Sequence, residues 1–178
     1  MSTAEAQDSG ATDALASVTY YRACVGAWRA PLAMRVTDPA ALRDAGMRWL
    51  DRVSLRLLAA WPRWLGRPVV ETTVAFEAPR EVLHTTTARW LGLRLDRSVE
   101  RFTLDPDGRR FTVHGGMTGH GTIDELATRG EYHLRWRGVE LVQRTMRDGD
   151  LVSVRQEGPG FTGALELVRQ PDRRAASR

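Results

Sequence analysis

The chain has 178 residues, 42% of them hydrophobic, and a formal net charge of +4. This length suits one globular domain with a sizeable core. Every basic residue is arginine, and the 26 arginines are interspersed with 22 acidic residues. They do not form the concentrated basic stripe that binding to a phosphate backbone needs, so we expect no nucleic-acid partner.

The N-terminal segment 1–17 is rich in Ala, Ser, Thr and Asp. It lacks a basic start and an apolar run, so it predicts a disordered lead rather than a signal peptide. No stretch reaches the roughly 18 apolar residues that a membrane span needs. The single cysteine, Cys24, cannot form an internal disulfide and is interpreted as a small buried residue. These features together predict a cytoplasmic protein.

The first ordered segment, 20–36, alternates well enough to predict a strand. Pro31 must produce a bend in it, because proline cannot donate to a strand ladder. Trp28 has the parity of Cys24 and Gly26, whereas Arg29 and Arg35 have the opposite parity. Trp28 should therefore face the interior.

A helical segment is predicted over 38–66. Asp38 can cap free amides, and Pro39 suits a first helical turn. The following apolar residues recur at steps of three and four: Leu42, Gly46, Trp49, Leu50, Val53, Leu57 and Trp61. This amphipathic stripe is interpreted as packing on its own domain. Its tryptophans and arginines also resemble a helix at a membrane interface, so transient membrane contact through 38–66 is the second interpretation.

From Val69 onwards the period changes to two. The predicted strands are 69–77, 82–90, 96–104, 109–114, a short piece near 121–125, 129–137, 139–147, 151–157 and 161–170. Asp105-Pro106-Asp107-Gly108 is a clear hairpin turn. With the first strand this makes about ten strands joined by tight turns, which indicates an antiparallel barrel or sandwich. The polar tail 171–178 is predicted to be disordered.

The two ends of the strand region carry a family resemblance. Gly26-Ala27-Trp28 opens the first strand, and Arg169 closes the last, where it could stack on the Trp28 ring. A Gly-x-Trp followed by a basic residue on the last strand resembles the calycins, the lipocalins and fatty-acid-binding proteins. The helical insertion after the first strand is similar to the fatty-acid-binding arrangement.

The resemblance implies an all-β protein, an up-and-down antiparallel β-barrel of about ten strands over 18–170 with a helical lid. It also implies a small hydrophobic molecule as partner. One feature of the family is absent. The last strand reads Glu-Leu-Val-Arg-Gln over 166–170 and lacks the Arg-x-Tyr that holds a fatty-acid carboxylate.

Strand parity selects the residues expected to contact a ligand. Tyr132 and Trp136 share a face with Leu134, and Gln143 shares a face with apolar neighbours, where its amide needs a partner from a neighbouring strand or from a ligand. The face of 82–90 that carries His84 and Trp90 is either a pocket wall or a solvated surface with a threonine ladder. The predicted ligand-binding residues are His84, Trp90, Tyr132, Trp136 and Gln143.

Other titratable residues leave alternatives open. Glu100 has the parity of Phe102 and Leu104, where it could act as a general acid or base, or a bulge could return it to solvent. His114 and His120 bracket a glycine-rich segment, but no third ligand follows at a regular spacing, so neither a metal nor a cofactor is predicted.

Three functions follow from this interpretation. The first is an intracellular binding protein for a small apolar or amphipathic ligand held inside the barrel. The second is a lipocalin-fold isomerase or cyclase that uses Tyr132, Glu100 or a histidine as acid or base. The third is a structural domain with a filled core. The sequence does not specify the oligomeric state.

Overall fold

A computed structural model of the chain describes residues 16–171. Within this range there are three α-helices and one 3₁₀ turn: α1 (Ala16–Cys24), α2 (Pro39–Asp44), α3 (Trp49–Ala59) and the turn Arg63–Leu65. The strand segments of the same range are β1 (Gly26–Pro31), β2 (Ala33–Val36), β3 (Val69–Ala78), β4 (Glu81–Trp90), β5 (Leu93–Leu104), β6 (Arg110–Gly115), β7 (Met117–Ile123), β8 (Arg129–Trp136), β9 (Val139–Asp148), β10 (Leu151–Gly158) and β11 (Phe161–Arg169).

The strands close into a single antiparallel barrel. Each strand from β3 to β11 pairs with its neighbours in the chain, and β1 pairs with both β3 and β11. The bend after Pro31 lets β2 continue the path of β1 along β11, so the two segments count as one interrupted strand. The predicted ten-stranded, up-and-down barrel with a helical lid after its first strand is confirmed.

Helix α1 corrects the predicted start of the first strand. Residues 20–24, predicted as strand, form the end of a helix that begins at Ala16. The buried residues of this helix recur at helical spacing and include Tyr20, Tyr21 and Cys24. The N–H of Ser17, which is fully buried, donates to the carbonyl of Gly108. The rest of the predicted lead 1–17, and the tail after Pro171, lie outside the described residues.

Helix α1 closes one end of the barrel, which we call the base. Tyr20 donates a 2.7 Å hydrogen bond to Thr145 on β9. The ring of Tyr21 packs on Phe102 and Phe111, with centroids 5.4 and 5.7 Å apart. Phe111 in turn lies 4.9 Å from Tyr132. The base is therefore filled with aromatic side chains, and their burial is the main source of stability here.

The helices α2 and α3 cover the opposite end, which we call the mouth. Asp38 caps α2 by accepting hydrogen bonds from the amides of Ala40 and Ala41. The predicted continuous segment 38–66 is instead two helices, because Gly46 has a φ of +85° and ends the first one. Met47, in the link between them, is buried. No helix of residues 16–171 is long and apolar enough to cross a bilayer.

Candidate ligand-binding interior

The interior of the barrel differs between its two ends. Near the base the inward side chains, such as Val82, Phe111 and Val113, are almost completely buried. Towards the mouth Val70, Val139 and Phe161 are also buried, but another set of inward side chains keeps partial exposure. We call this set the upper wall: Met34, His84, Thr86, Ala88, Ser98, Gln143, Gln156 and Leu165. An inward side chain of a closed barrel retains exposure only where it borders accessible space, so the upper wall marks the part of the interior open to a small molecule.

A polar cluster of His84, Ser98 and Glu100 lies where the packed base meets the upper wall. His84 on β4 and Glu100 on β5 are direct cross-strand partners. Glu100 is fully buried, so the predicted bulge that returns it to solvent is wrong. Its Oε1 accepts a hydrogen bond from Ser98, whereas its Oε2 has no hydrogen-bond partner in the part of the chain that the structure describes. Nδ1 of His84 lies 3.7 Å from this oxygen, beyond hydrogen-bond distance.

The strand 81–90 turns the face of His84 inward. The His84 ring packs against Phe102 with centroids 5.6 Å apart. Thr86, two residues further along, lies 3.4 Å from Thr72, which is buried. The alternative of a solvated threonine face is therefore wrong for this side of the strand.

Two glutamines face each other on the opposite side of the upper wall. Nε2 of Gln156 on β10 donates to Oε1 of Gln143 on β9 at 2.8 Å. A neighbouring strand thus supplies one partner for the amide of Gln143. Both side chains stay half-buried, so their remaining polar atoms are available to a molecule in the interior.

Tyr132 lies in the base and not in the upper wall. Its hydroxyl is within 3.5 Å of the hydroxyls of Tyr21 and Thr145. Burial raises the pKa of Tyr132, and it raises the pKa values of Tyr20 and Tyr21 well above the ordinary value for tyrosine. These phenols therefore stay protonated at neutral pH and act as hydrogen-bonding core residues.

The two predicted tryptophans lie near the mouth. Trp90 donates from Nε1 to the carbonyl of Leu65, and its ring contacts Trp61 edge to face at 5.0 Å. Trp136 packs near Phe161, with centroids 6.1 Å apart. His84 and Gln143 thus lie on the upper wall, while Trp90 joins the barrel to the segment that follows α3.

An ionic contact holds α3 over the mouth. Arg137, in the turn between β8 and β9, pairs with Asp51 of α3 and with Asp96 of β5, the second at 3.1 Å. The Asp51 side chain is only 17% exposed. Because β6 and β7 are shorter than β5, Arg137 reaches across their turn to join β5 to the helix. We call these three residues the mouth clamp.

A cavity of about 430 Å³ lies beside the end of α3, against β2, β10 and β11. Gln156, which belongs to the upper wall, is part of its lining, together with Leu58, Trp61 and Met34. Among the described residues, β2 pairs only with β11, so its other edge is free at this point. The cavity therefore borders both the helical lid and the interior.

The histidines that bracket the glycine-rich segment lie at outward positions of β6 and β7. His114 and His120 are exposed, and His120 stacks on His133 with centroids 5.5 Å apart. In the stretch 16–171, no three His, Cys, Asp or Glu side chains are grouped so that they could hold a metal ion.

Comparison with solved structures identifies the architecture. The chain is similar to apo lipid binding protein 8 of Caenorhabditis elegans, at 11% identity and a TM-score of 0.51, over 84% of this chain and 96% of that one. The chain therefore has the fold of this lipid binding protein, a ten-stranded antiparallel β-barrel.

Two further similarities to calycin barrels have lower scores. Fatty-acid-binding protein 1 of Echinococcus granulosus gives 8% identity and a TM-score of 0.49, over 84% of this chain and 99% of that one. Secretory abundant heat soluble protein 4 of Ramazzottius varieornatus gives 14% identity and a TM-score of 0.49, over 83% of this chain and 94% of that one. Neither a protein-family model nor a curated protein sequence matches the chain.

Sequence reasoning missed Ser98 and Gln156, which both lie on the upper wall. Ser98 has the parity of Glu100, and Gln156 has the parity of Val154, which is buried. That parity was the available signal. The strand pairing is needed to show that Gln156 lies opposite Gln143 on the adjacent strand.

Proposed function

We propose that this protein is an intracellular binding protein that holds a small amphipathic molecule inside its barrel, against the upper wall. The observation that supports this most directly is the contrast between a packed base and inward residues that stay partly exposed near the mouth. Sites for small molecules are concave and largely apolar, with a few placed polar groups. The mouth of a barrel of this size is a usual place for one.

The composition of the upper wall supports an amphipathic ligand. Met34, Ala88 and Leu165 offer apolar surface, whereas His84, Ser98 and Gln143 offer hydrogen-bonding groups. Lipid binding protein 8, to which the fold is similar, carries a lipid ligand in its name. The missing Arg-x-Tyr argues that the polar end of the ligand is held differently from a fatty-acid carboxylate.

Two matched variants test where the ligand binds. Ala88 is a half-buried inward residue of β4, opposite the buried Val70, and Ala75 is an exposed residue of β3. We expect Ala88→Phe to fill the upper wall and to lower the affinity for an environment-sensitive fluorescent dye by at least about tenfold, since several favourable contacts are lost. Ala75→Phe makes the same change on the outside, and its affinity should equal that of the wild type.

The alternatives give different results in the same titration. If the wild-type protein binds neither the dye nor any retained molecule detected by native mass spectrometry, the filled-core function is correct instead. If both variants bind the dye equally well, the site lies outside the barrel. A bound molecule that is released chemically altered would favour the enzyme.

We also propose that the segment 38–66 makes transient contact with anionic membranes. The apolar stripe of α3 does not pack on the barrel, contrary to the first interpretation of its periodicity. Trp49, Leu50 and Leu57 are each about 60% exposed, and Trp64 is 83% exposed. Arg48, Arg56 and Arg67 lie nearby without an acidic partner in the described part of the chain. An exposed apolar face bordered by arginines suits the interface of an anionic bilayer.

Vesicle sedimentation tests this contact. We expect the protein to bind vesicles that contain phosphatidylglycerol and to bind pure phosphatidylcholine vesicles less. Leu57→Glu should abolish the difference, because it places a carboxylate in the apolar face. Leu126→Glu is the matched control, since Leu126 is 81% exposed at the closed end of the barrel. Equal loss of binding in both variants would contradict contact through α3.

A further inference from the structure

The carboxylate of Glu100 occupies an unusual position inside the barrel. It is fully buried, and its Oε1 accepts a hydrogen bond from Ser98. Its Oε2 has no hydrogen-bond partner among residues 16–171. A buried polar atom without a partner has lost its hydration and has no hydrogen bond to offset that free-energy cost. A ligand donor that bonds to it therefore stabilises the complex more than a donor to an already bonded oxygen does.

The fold makes room for this carboxylate. Gly115 on β6 is the cross-strand partner of Glu100. A Cβ on the next residue, Gly116, would lie 2.1 Å from Oγ of Ser98 and 3.1 Å from Oε1 of Glu100. Any side chain larger than hydrogen at Gly116 would therefore disturb the pair. The glycine turn between β6 and β7 leaves the space in which Ser98 and Glu100 meet.

His84 links the carboxylate to the accessible part of the interior. Its side chain is 25% exposed, and its Nδ1 is 3.7 Å from Oε2 of Glu100. Rotation of this ring away from Glu100 would expose Oε2 to the space along the upper wall. A neutral imidazole also offers one acceptor nitrogen, so His84 and Glu100 together can receive two hydrogen bonds from one group.

The charges at this level of the barrel favour a donor. At inward positions of the described strands above Phe102, the charged side chains are the carboxylates of Asp96 and Glu100. The arginines of these strand segments, such as Arg35, Arg135 and Arg155, fall at outward, exposed positions, and Arg35 and Arg155 line the cavity beside α3. Arg147 and Arg169 lie at the base. Asp96 is paired with Arg137 in the mouth clamp, so at these inward positions Glu100 is the group that repels a ligand carboxylate and attracts an ammonium.

We propose that His84, Ser98 and Glu100 bind the ammonium end of an amphiphilic amine, whose apolar chain lies along the upper wall. This rests on the proposed function, that the interior binds an amphipathic molecule. The N–H groups of the ammonium donate to Oε2 of Glu100 and to the imidazole of His84. The ligand class thus differs from the carboxylate that the family resemblance implies.

Competition for a bound uncharged dye tests the ligand class with three probes of equal chain length: dodecylamine, dodecanol and dodecanoate. We expect dodecylamine to bind at least about tenfold more tightly than dodecanoate, because its ammonium donates to Glu100 and is attracted to it, whereas the carboxylate of dodecanoate is repelled and has no proton to donate. Dodecanol, a neutral donor, should lie between them. This comparison uses the wild-type chain, so it does not depend on the folding of any variant.

Two substitutions assign the preference to the cluster. Glu100→Gln keeps the shape of the side chain and removes its charge, and it should lower the affinity for dodecylamine about tenfold while dodecanol binding changes little. Glu166→Gln is the matched control, because Glu166 is exposed on the outer face of β11. It should behave as the wild type.

The outcomes separate the two proposals. If none of the probes displaces the dye, the proposed function fails. If the probes bind but dodecanoate binds as tightly as dodecylamine, the ammonium site is wrong while the proposed function stands. Retention of the amine preference by a folded Glu100→Gln variant would likewise overturn the assignment to this cluster.

Discussion

The guanidinium of Arg169 lies 4.4 Å from the centroid of the Trp28 ring, and the two residues are cross-strand partners where the last strand meets the first. Arg169 also donates hydrogen bonds to the carbonyls of Ala23 and Val25 and to Asp150. The Trp28 indole donates to the carbonyl of Cys24 at 2.7 Å. The pair thus joins the closing strands of the barrel to the end of α1.

Loss of this guanidinium should destabilise the protein. We expect Arg169→Ala to lower the free energy of unfolding by about 2 kcal/mol, a value that allows for partial exposure of the side chain. Arg169→Lys should recover less than half, because an ammonium cannot reach the same carbonyls and carboxylate together. Urea denaturation measures both. Arg155→Ala, at an exposed position of β10, is the control, and an equal loss there would contradict the role of Arg169.

The buried thiol of Cys24 predicts a specific dependence on pH. Burial raises its pKa from 9.0 to about 11, although Arg147, Tyr20 and Arg169 partly offset the effect. Because the folded pKa is higher, the contribution to stability is complete below pH 9 and is lost as the pH rises towards 11. From pH 9 to 10 the free energy of unfolding of the wild type should fall by about 1 kcal/mol more than that of Cys24→Ala. Parallel curves would place the thiol in contact with water.

The mouth clamp predicts an effect on ligand exchange. Replacement of Arg137 by Ala removes the ion pairs with Asp51 and Asp96. Because these groups are partly exposed, we expect the ion pairs to contribute about 1 kcal/mol to holding α3 in place. If the helix must move for the ligand to leave, dissociation of a bound dye should become about fivefold faster. Stopped-flow fluorescence measures this rate. Arg135→Ala, at an exposed position of β8, should leave the rate unchanged, and an unchanged rate in Arg137→Ala would exclude a route beneath α3.

Substitution of two glycines by alanine distinguishes the stability cost of backbone strain from the cost of a steric clash. Gly149 and Gly160 both have positive φ, +54° and +75°. A Cβ on Gly160 would lie 2.0 Å from the carbonyl oxygen of Asp38, while nothing lies within 4 Å at Gly149. Gly149→Ala should therefore cost only the strain of about 1 kcal/mol. Gly160→Ala should cost at least about 2 kcal/mol more, because the start of α2 must shift. Thermal denaturation of both variants tests this, and equal costs would contradict close contact between the lid and the last turn.

Much of the strand pattern could be predicted because it depends on local chemistry. The Asp-Pro-Asp-Gly hairpin is an example: Asp107 accepts hydrogen bonds from the amides of Arg109 and Arg110, which any sequence of this kind can form. The first helix was predicted as strand because Tyr20, Cys24 and Trp28 satisfy a period of two as well as one of four. The contacts of Tyr20 with Thr145 and of Tyr21 with Phe111, both far away in the chain, distinguish the helix from a strand.

The interior was harder to predict than the barrel. The orientation of Glu100 depends on its unbroken pairing with His84 and Gly115. Hydrophobic periodicity within one strand does not predict this pairing between strands. The outward face of α3 is a similar case. Its stripe has the pattern of a packed helix, yet Leu55 is the residue of this helix that is buried. The ion pair of Asp51 in the mouth clamp holds the helix in this orientation.

The plug formed by Tyr20 and Tyr21 has a consequence for how a molecule inside the barrel is replaced. Because this end is sealed, a molecule both enters and leaves on the side of the mouth, and an incoming molecule cannot displace the bound one from the base. Exchange must be sequential. The dissociation rate of a bound molecule should therefore not depend on the concentration of its competitor.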